Sequence, residues 1–323
     1  MAGREFEKTV AVLGPGRIGR QIALACALGG SGVRLVDLKP RPGGESEAVL
    51  ADARREIARD LGLMVEEGVI KDSDVAPALD RIEDRRDLAA VEGCGLVQEA
   101  LPERLELKRE VFGRLRGVLA DDAIVASTTS SIAPAHLAGA VPAPERFLVV
   151  HWLNPAHIIP LVEVVPGAAT SPAVVERTVA FLRALGKTPV QCADSPGFIV
   201  PRIQALLMNE AVRLVEEGVA TPEAVDVAIR AGLGFRYATV GVFEFIDWGG
   251  VDILYRAAHF MAQATGQDRF RPPRLVEEKM ARNELGPKTG RGFFEYPPES
   301  RDRFETAKVR ALLRQLRRER EGP

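Results

Sequence analysis

The sequence TVAVLGPGRIG, residues 9–19, decides the fold because it joins a strand pattern to a helix pattern through three glycines. Thr9 to Leu13 is a short apolar run rich in β-branched residues, which predicts a buried strand. Ile18 to Leu28 carries apolar residues at helical spacing, and a second apolar run, Val33 to Val36, ends at Asp37. The segment therefore predicts a βαβ unit, the building block of a parallel sheet covered by helices.

Strand and helix patterns continue to alternate as far as residue 192, and helical patterns alone follow Asp194-Ser195-Pro196-Gly197. Further strand patterns lie at 95–98, 123–126, 147–151, 161–165 and 190–192, and further helical patterns at 46–92, 103–119, 172–185, 198–217, 222–231, 250–265 and 303–320. We therefore predict a doubly wound α/β domain of the Rossmann type over residues 1–193. A smaller all-helical domain is predicted over residues 194–323.

The composition is that of a soluble globular protein and excludes several functions. The 323 residues are 46% hydrophobic and carry a net charge of −2, so nothing favours nucleic acid or an anionic membrane. No apolar run is long enough to predict a membrane span. Cys26, Cys94 and Cys192 stand far apart and predict neither a metal site nor a disulfide framework. The cysteine pattern fits a reducing cytoplasm and the charged first segment is unlike a signal peptide, so we expect a cytoplasmic protein. The expected partner is a small-molecule substrate.

The glycines of residues 14–19 form the pattern G-x-G-x-x-G between a strand and a helix, the context that predicts dinucleotide binding. Gly14 permits the tight turn, Gly16 the approach of a pyrophosphate, and Gly19 the close packing of helix on strand. Asp37 would accept hydrogen bonds from the adenosine ribose and repel a 2′-phosphate, which favours NAD, although Lys39 and Arg41 stand nearby. The candidate cofactor residues of this segment are Gly14, Gly16, Arg17, Ile18, Gly19 and Asp37.

His151 and Glu163 are the candidate catalytic pair. Oxidation of an alcohol by NAD requires a base that takes the hydroxyl proton while a hydride leaves the carbon. His151 ends a predicted strand on the cofactor side of the sheet, and Glu163 lies between Val162 and Val164 in the next strand. A carboxylate in such apolar surroundings requires a partner, and a histidine is a suitable one. The alternative is a core histidine with an unrelated carboxylate at a sheet edge.

A further series of segments occurs in a fixed order along the chain. It comprises Gly14-x-Gly-x-x-Gly19, Glu99-Ala100 with Glu103 and Lys108, Thr129-Ser130-Ser131, His151-x-x-Asn154-Pro155, Leu161-Val162-Glu163-Val164, Ser195-Pro196-Gly197-Phe198 and Lys288-Thr289-Gly290-x-Gly292-Phe293. In this order the segments resemble the L-3-hydroxyacyl-CoA dehydrogenase family over nearly the whole chain. The resemblance favours the catalytic reading of His151 and Glu163.

The resemblance implies a role for each matching residue. His151 is expected to be the general base, Glu163 to orient it, and Ser130 to bind the reacting oxygen against the nicotinamide. The positions expected near the nicotinamide ribose are Glu103, Lys108 and Lys288. The resemblance also implies a homodimer that pairs through the helical domain, which contributes to substrate binding, with the active site in the cleft between the two domains.

Several of these residues have a plainer interpretation. Glu103 and Lys108 match an ordinary pair on a helix surface, and Ser130 matches a cap of the segment that follows it. Asn154 is a candidate substrate contact, and it also precedes Pro155 and could shape that turn. His157 is interpreted as a residue of a loop or pocket wall.

Two positions depart from the acyl-CoA members of the family. Pro201 stands where those members carry an asparagine that points into the active site, and proline has no side-chain donor. Arg236, in the segment 232–238, resembles the branch of L-gulonate 3-dehydrogenase (lambda-crystallin) and carnitine dehydrogenase. A guanidinium binds a carboxylate through two parallel hydrogen bonds, so Arg236 is a candidate anchor for a free acid; a surface salt bridge is the alternative.

The expected function is therefore NAD-dependent oxidation of a 3-hydroxy group to a ketone, on a 3-hydroxyacyl-CoA. The alternative is the same chemistry on a small free hydroxy acid similar to L-gulonate or carnitine, with Arg236 at its carboxylate. A catalytically silent binding protein of the crystallin kind is the third reading, and the intact glycine loop and catalytic pair argue against it.

Overall fold

The computed structural model describes residues 9–321, and the chain divides into two compact units at Leu207/Met208. The first unit holds an eight-stranded sheet in the order β3-β2-β1-β4-β5-β6-β7-β8. Its strands are β1 (Thr9–Leu13), β2 (Gly32–Val36), β3 (Ile82–Arg85), β4 (Leu96–Glu99), β5 (Ile124–Ser127), β6 (Phe147–Trp152), β7 (Leu161–Pro166) and β8 (Thr188–Gln191). The predicted Rossmann-type fold class is confirmed.

Helices cover both faces of this sheet. They are α1 (Arg17–Leu28), α2 (Glu45–Glu66), α3 (Val75–Asp80), α4 (Leu105–Gly113), α5 (Pro134–Ala138) and α6 (Pro172–Ala184). Successive residues of a strand point to opposite faces, so β1 contributes to two cores: Val10 and Val12 pack with α1, α2 and α6, whereas Ala11 and Leu13 pack with α4 and α5. Burial on both faces explains why the central strands read as continuous apolar runs.

The sheet differs from the sequence-based prediction in two ways. β7 runs antiparallel to β6, so the sheet is mixed, whereas alternating strands and helices had indicated parallel pairing throughout. The antiparallel pair is possible because only a loop, residues 153–160, connects the two strands. β3 was not predicted, because three of its four residues are charged and exposed at the sheet edge.

The second unit is helical. From the helix that contains the division onward, the helices are α7 (Val200–Glu216), α8 (Pro222–Ala228), α9 (Phe235–Tyr237), α10 (Val242–Gly249), α11 (Val251–Thr265), α12 (Arg274–Ala281) and α13 (Arg301–Glu321). Asp247 of α10 is buried and accepts hydrogen bonds from the backbone N–H groups of Phe293 and Phe294, at 2.8 and 2.9 Å, and from the Tyr296 hydroxyl. These bonds fix the Gly292-Phe293 segment to α10.

The helical patterns at 198–217 and 250–265 agree with α7 and α11. In the region of the pattern at 222–231, the α-helix α8 ends at Ala228 and a π-helical turn, Ile229–Gly234, follows. The domain boundary near residue 193 stays a prediction. No helix within residues 9–321 combines the length and apolar character needed to cross a membrane.

Candidate active site

The glycine loop follows β1 and leads into α1. Gly14 has φ +110°, a value that favours glycine, and its N–H donates to the Val36 carbonyl at 2.8 Å. A Cβ on Gly19 would lie 1.9 Å from the Gly14 carbonyl oxygen, whereas a Cβ on Gly16 would meet nothing within 4 Å. Gly19 therefore permits helix and strand to approach, and the space beside Gly16 is open to a ligand. Arg17 is exposed and Ile18 half-buried at the start of α1.

Asp37 lies immediately after β2 and is 3% exposed. Its Oδ2 accepts hydrogen bonds from Arg41 Nε at 2.7 Å and from Ser46 Oγ at 2.8 Å. Arg41 thus compensates the buried charge of this carboxylate. The open space at Gly16, the free N–H groups at the head of α1 and the acidic end of β2 fit a dinucleotide with an unphosphorylated adenosine ribose.

The next polar cluster lies at the carboxyl ends of β4 and β5. Lys108 is fully buried; its Nζ lies 2.6 Å from Glu99 Oε1 and 3.3 Å from Glu103 Oε2. Glu103 is more exposed and accepts hydrogen bonds from the Thr129 hydroxyl and from Ser131 Oγ at 2.8 Å. Burial alone would raise the pKa of Glu103, but these hydrogen bonds and the Lys108 charge outweigh it and hold the pKa below its usual value.

Ser130, between these two bonded neighbours, is exposed. The plainer reading of Glu103 and Lys108 as a surface pair does not describe Lys108, whose side chain is inaccessible. This burial follows from the packing of α4 against the sheet and not from the helical pattern itself.

His151 and Glu163 face each other across the antiparallel pair β6–β7. His151 Nδ1 lies 2.6 Å from Glu163 Oε2, with the histidine 7% exposed and the carboxylate fully buried. A carboxylate only accepts hydrogen bonds, so Nδ1 carries the proton, and the lone pair of the neutral ring lies on Nε2. The arrangement leaves Nε2 able to accept a proton.

Glu163 also contacts the start of α7. Its Oε1 accepts hydrogen bonds from the backbone N–H groups of Ile199 and Val200, at 2.9 and 2.8 Å. Gly197 and Phe198 precede this turn with φ of +76° and +45°, and the Phe198 ring lies 5.8 Å from the His151 ring. Free N–H groups at a helix N-terminus stabilise negative charge, so both oxygens of the buried carboxylate are satisfied.

The loop that follows His151 forms one wall of a cavity of about 470 Å³. The cavity is lined by Arg17, Arg20, Gln21, Arg59, Asp60, Leu63, Met64, Glu67, Val69, Asn154, Pro155, His157 and Ile158. Asn154 is exposed and His157 half-buried, and the His157 Nδ1 and Arg20 Nε atoms are buried without a hydrogen-bond partner in the described part of the chain. Burial lowers the pKa of His157, and the charge of Asp60 opposes this shift.

Lys187 holds this loop in place. Its Nζ donates to the carbonyls of Ala156, Ile159 and His157, at 2.7, 3.0 and 3.3 Å. Lys187 was not recognised from the sequence, and Glu99 was named only as part of a family segment, without a role of its own. Glu99 did give a signal, since it is a charged residue at the end of an apolar run; Lys187 gave none.

The remaining candidates lie on α7 and in the second unit. Pro201 is half-buried in the first turn of α7. The Arg236 guanidinium lies over the Phe245 ring, 4.1 Å from its centroid, and pairs with no carboxylate within residues 9–321. The salt bridge considered for it is therefore not formed. Lys288 is exposed and pairs with Asp252. Across the described residues, no group of three or more His, Cys, Asp or Glu side chains could hold a metal ion.

The Rossmann-type sheet and its glycine loop are typical of NAD-dependent dehydrogenases. Comparison with known proteins identifies the family. The model of the 3-hydroxyacyl-CoA dehydrogenase NAD-binding domain matches residues 9–195, and that of the 3-hydroxyacyl-CoA dehydrogenase C-terminal domain matches residues 197–296. The chain belongs to the 3-hydroxyacyl-CoA dehydrogenase family and is an NAD-dependent oxidoreductase that acts on a CH–OH group.

Individual relatives represent both branches considered above. The 5-formyl-3-hydroxy-2-methylpyridine 4-carboxylate 5-dehydrogenase of Mesorhizobium japonicum is 33% identical, covering 95% of this chain and 96% of that protein. Lambda-crystallin of Oryctolagus cuniculus is 37% identical, covering 73% and 72%. The crystal structure of a 3-hydroxyacyl-CoA dehydrogenase from Archaeoglobus fulgidus has a TM-score of 0.76 and 33% identity, covering 96% of this chain and 99% of that one. The predicted family is confirmed, and so is the predicted likeness to its lambda-crystallin branch.

Proposed function

We propose that this chain oxidises the 3-hydroxy group of a 3-hydroxyacyl-CoA to a ketone, and that His151 is the general base. The observation that supports this most directly is the buried His151–Glu163 pair, which holds a proton on Nδ1 and leaves Nε2 free. In the forward direction the substrate O–H proton passes to His151 Nε2, and the electron pair of that O–H bond forms the C=O bond. The C3–H bond breaks at the same time, and its electron pair leaves with the hydrogen as hydride. A nicotinamide cofactor held at the glycine loop would supply the acceptor for that hydride, so the products would be the 3-oxoacyl compound, NADH and one proton.

The other site residues receive positioning and binding roles in the same proposal. Glu163 keeps the imidazole in the Nδ1–H tautomer and stabilises the imidazolium that forms during the reaction. Ser130, exposed between bonded neighbours, is proposed to donate a hydrogen bond to the reacting oxygen. The proposed cofactor contacts are Gly14, Gly16, Arg17, Ile18, Gly19, Asp37, Glu103 and Lys288, with Lys108 acting through Glu103 because it is itself buried.

A thioester with a long tail is favoured by the cavity beside the active-site loop. Its volume of about 470 Å³ exceeds what a short hydroxy acid needs, and its wall combines apolar side chains with the arginines Arg17, Arg20 and Arg59. Asn154 lies in this loop, three residues after His151, and is the proposed substrate contact there.

A free hydroxy carboxylate is the second candidate, and a specific observation favours it. The Arg236 guanidinium has no carboxylate partner in the described residues, so it is available to a substrate acid. The similarity to an enzyme named for a pyridine carboxylate and to lambda-crystallin points the same way.

One set of assays separates the two substrates. Acetoacetyl-CoA with NADH, and a panel of free hydroxy acids with NAD⁺, are each followed by the absorbance of NADH, for the unmodified chain and for Arg236→Ala. Rapid turnover of the thioester that Arg236→Ala leaves unchanged supports the acyl-CoA substrate. Turnover of a free acid alone, lost in Arg236→Ala, contradicts it and establishes the alternative.

We also propose a cytoplasmic homodimer that pairs through the helical unit. Large apolar side chains of this unit are exposed in the single chain, among them Val212, Phe243 and Phe260. Such exposed apolar surface is typical of a subunit interface. Sedimentation equilibrium at micromolar concentration tests the dimer, and fractionation of cells tests the location; a monomer under those conditions contradicts the first proposal.

A further inference from the structure

We propose that Glu99 is a positioning residue that acts through Lys108 and Glu103 to fix the loop carrying Ser130, and so sets the affinity for the nicotinamide half of the cofactor. The inference rests on the proposed function only for the roles of Ser130 and Glu103. Its test measures binding, so it does not depend on turnover.

The starting observation is a pair of opposite charges that water does not reach. Glu99 and Lys108 are both 0% exposed, and their charged atoms lie 2.6 Å apart. Two buried charges require further hydrogen bonds to compensate the lost hydration, and an ion pair of this kind gives little stability over an apolar pair of the same size. A buried pair at the carboxyl end of a central strand therefore calls for a functional explanation.

Every polar atom of the pair contacts a segment of the site. Glu99 Oε1 also accepts a hydrogen bond from the Leu101 N–H at 2.6 Å, and Oε2 accepts one from the Ser127 hydroxyl. Lys108 Nζ also donates a hydrogen bond to the Leu101 carbonyl at 3.3 Å and lies 3.3 Å from Glu103 Oε2. Glu99 thus joins the ends of β4 and β5, and Lys108 transmits its position to Glu103.

Glu103 in turn holds both neighbours of Ser130. Its Oε1 accepts hydrogen bonds from the Thr129 hydroxyl, from Ser131 Oγ at 2.8 Å and from the Ser131 N–H at 3.2 Å. Ser130 is exposed, and its hydroxyl makes no hydrogen bond to another residue within 9–321, while the residues on either side of it are held. The direction of its hydroxyl therefore depends on Glu103.

The sheet order indicates which half of the cofactor this cluster meets. β1 and its glycine loop lie between β2, which Asp37 follows directly, and β4, which ends at Glu99. In doubly wound sheets a dinucleotide lies across the carboxyl ends of the strands, at the point where the strand order reverses. With the adenosine ribose at Asp37 on one side of the loop, the other half extends over the ends of β4 and β5.

The primary test compares two ligands by calorimetry on the full chain. NADH contains both halves of the cofactor, whereas ADP contains only the adenosine half. Glu99→Gln keeps the size of the side chain and removes its charge, so Lys108 is drawn fully to Glu103 and the bonds to Thr129 and Ser131 weaken. We expect the Kd for NADH to rise about tenfold, the loss of roughly one charge-assisted hydrogen bond, and the Kd for ADP to stay within about twofold.

Two further variants separate positioning from a structural role. Glu110→Gln, an exposed change on α4, the helix that carries Lys108, is the matched control and should leave both affinities unchanged. The double variant Glu99→Gln/Lys108→Met removes both buried charges. If Glu99 only neutralises Lys108, the double variant recovers NADH binding; we expect its Kd to remain at least about fivefold above that of the unmodified chain.

Recovery in the double variant, or equal weakening of ADP and NADH by Glu99→Gln, would overturn the proposal. These outcomes are independent of catalysis. A chain that binds NADH as described and turns over no hydroxy substrate would contradict the proposed function alone.

Discussion

Replacing Glu163 with glutamine tests the catalytic pair most directly, because the structure constrains how the amide can bind. Glu163 Oε1 accepts two backbone N–H groups from the start of α7, and Oε2 accepts the His151 Nδ1–H. A glutamine has only one oxygen. If that oxygen stays with the two N–H groups, the amide NH₂ faces His151 Nδ1, which must then become an acceptor, and the ring proton moves to Nε2.

The expected loss of activity follows from that change of tautomer. With the proton on Nε2, His151 cannot accept a proton from the substrate, and the contribution of general base catalysis, about 10²- to 10⁴-fold, is lost from kcat. The opposite amide orientation would place the NH₂ against two backbone donors and is worse. Because the pair is buried, we also expect the free energy of unfolding to fall by about 1.5–3 kcal/mol, the value of a hydrogen bond to a charged group.

The assay is reduction of acetoacetyl-CoA or of the preferred free keto acid by NADH, with the Kd for NADH measured alongside. Glu106→Gln, an exposed change on α4, is the control for the loss of one carboxylate. Nitrogen NMR of the histidine ring would report the tautomer itself. Full activity in Glu163→Gln, or a loss of activity that is matched by loss of cofactor binding, would refute the reasoning.

Three further outcomes follow from the loops of the first unit. Gly19→Ala should lower the stability by about 1–3 kcal/mol because its Cβ would meet the Gly14 carbonyl oxygen, whereas Gly16→Ala should keep the Tm and weaken NADH binding; equal Tm losses would contradict this. Burial lowers the pKa of His157, so the unfolded chain binds more protons than the folded chain, and stability falls as the pH drops below about 6.5. The Tm of His157→Gln should therefore fall less than that of the unmodified chain between about pH 7.5 and 5.5. An equal dependence of Tm on pH in the two proteins would contradict this assignment. Lys187→Met should cost about 1–3 kcal/mol and raise KM for the substrate while leaving the Kd for NADH unchanged, and a weaker Kd for NADH would contradict its assignment to the loop.

The features that could be predicted are those encoded over short stretches of chain. The glycine loop needs only a strand, three glycines and a helix in sequence, and the two apolar runs around it read clearly because both sheet faces are covered. The pairing of His151 with Glu163 was also predictable, since a carboxylate within an apolar strand needs a partner. Its geometry was not, because it depends on the antiparallel direction of β7.

The features that escaped prediction depend on packing between distant segments. Lys108 reads as a surface residue of an amphipathic helix, and only the position of α4 against the sheet shows that it is buried. Glu99 offered the same signal as Glu163, a charge at an apolar strand, but its partner is on a helix and no strand pattern leads to it. β3 could not be predicted from the sequence, because an edge strand needs no apolar pattern.

In the strand pair β6–β7, the backbone pairing positions the catalytic residues, whereas the connecting loop lines the cavity. The ladder places residue 151 opposite residue 163 through main-chain hydrogen bonds, whatever side chains occupy the connection between them. That connection, residues 153–160, supplies Asn154, His157 and Ile158 to the cavity wall. During divergence, point changes there could alter which molecules are accepted without disturbing the reaction. A shift of register by a single residue would instead bring a valine opposite the base and abolish it.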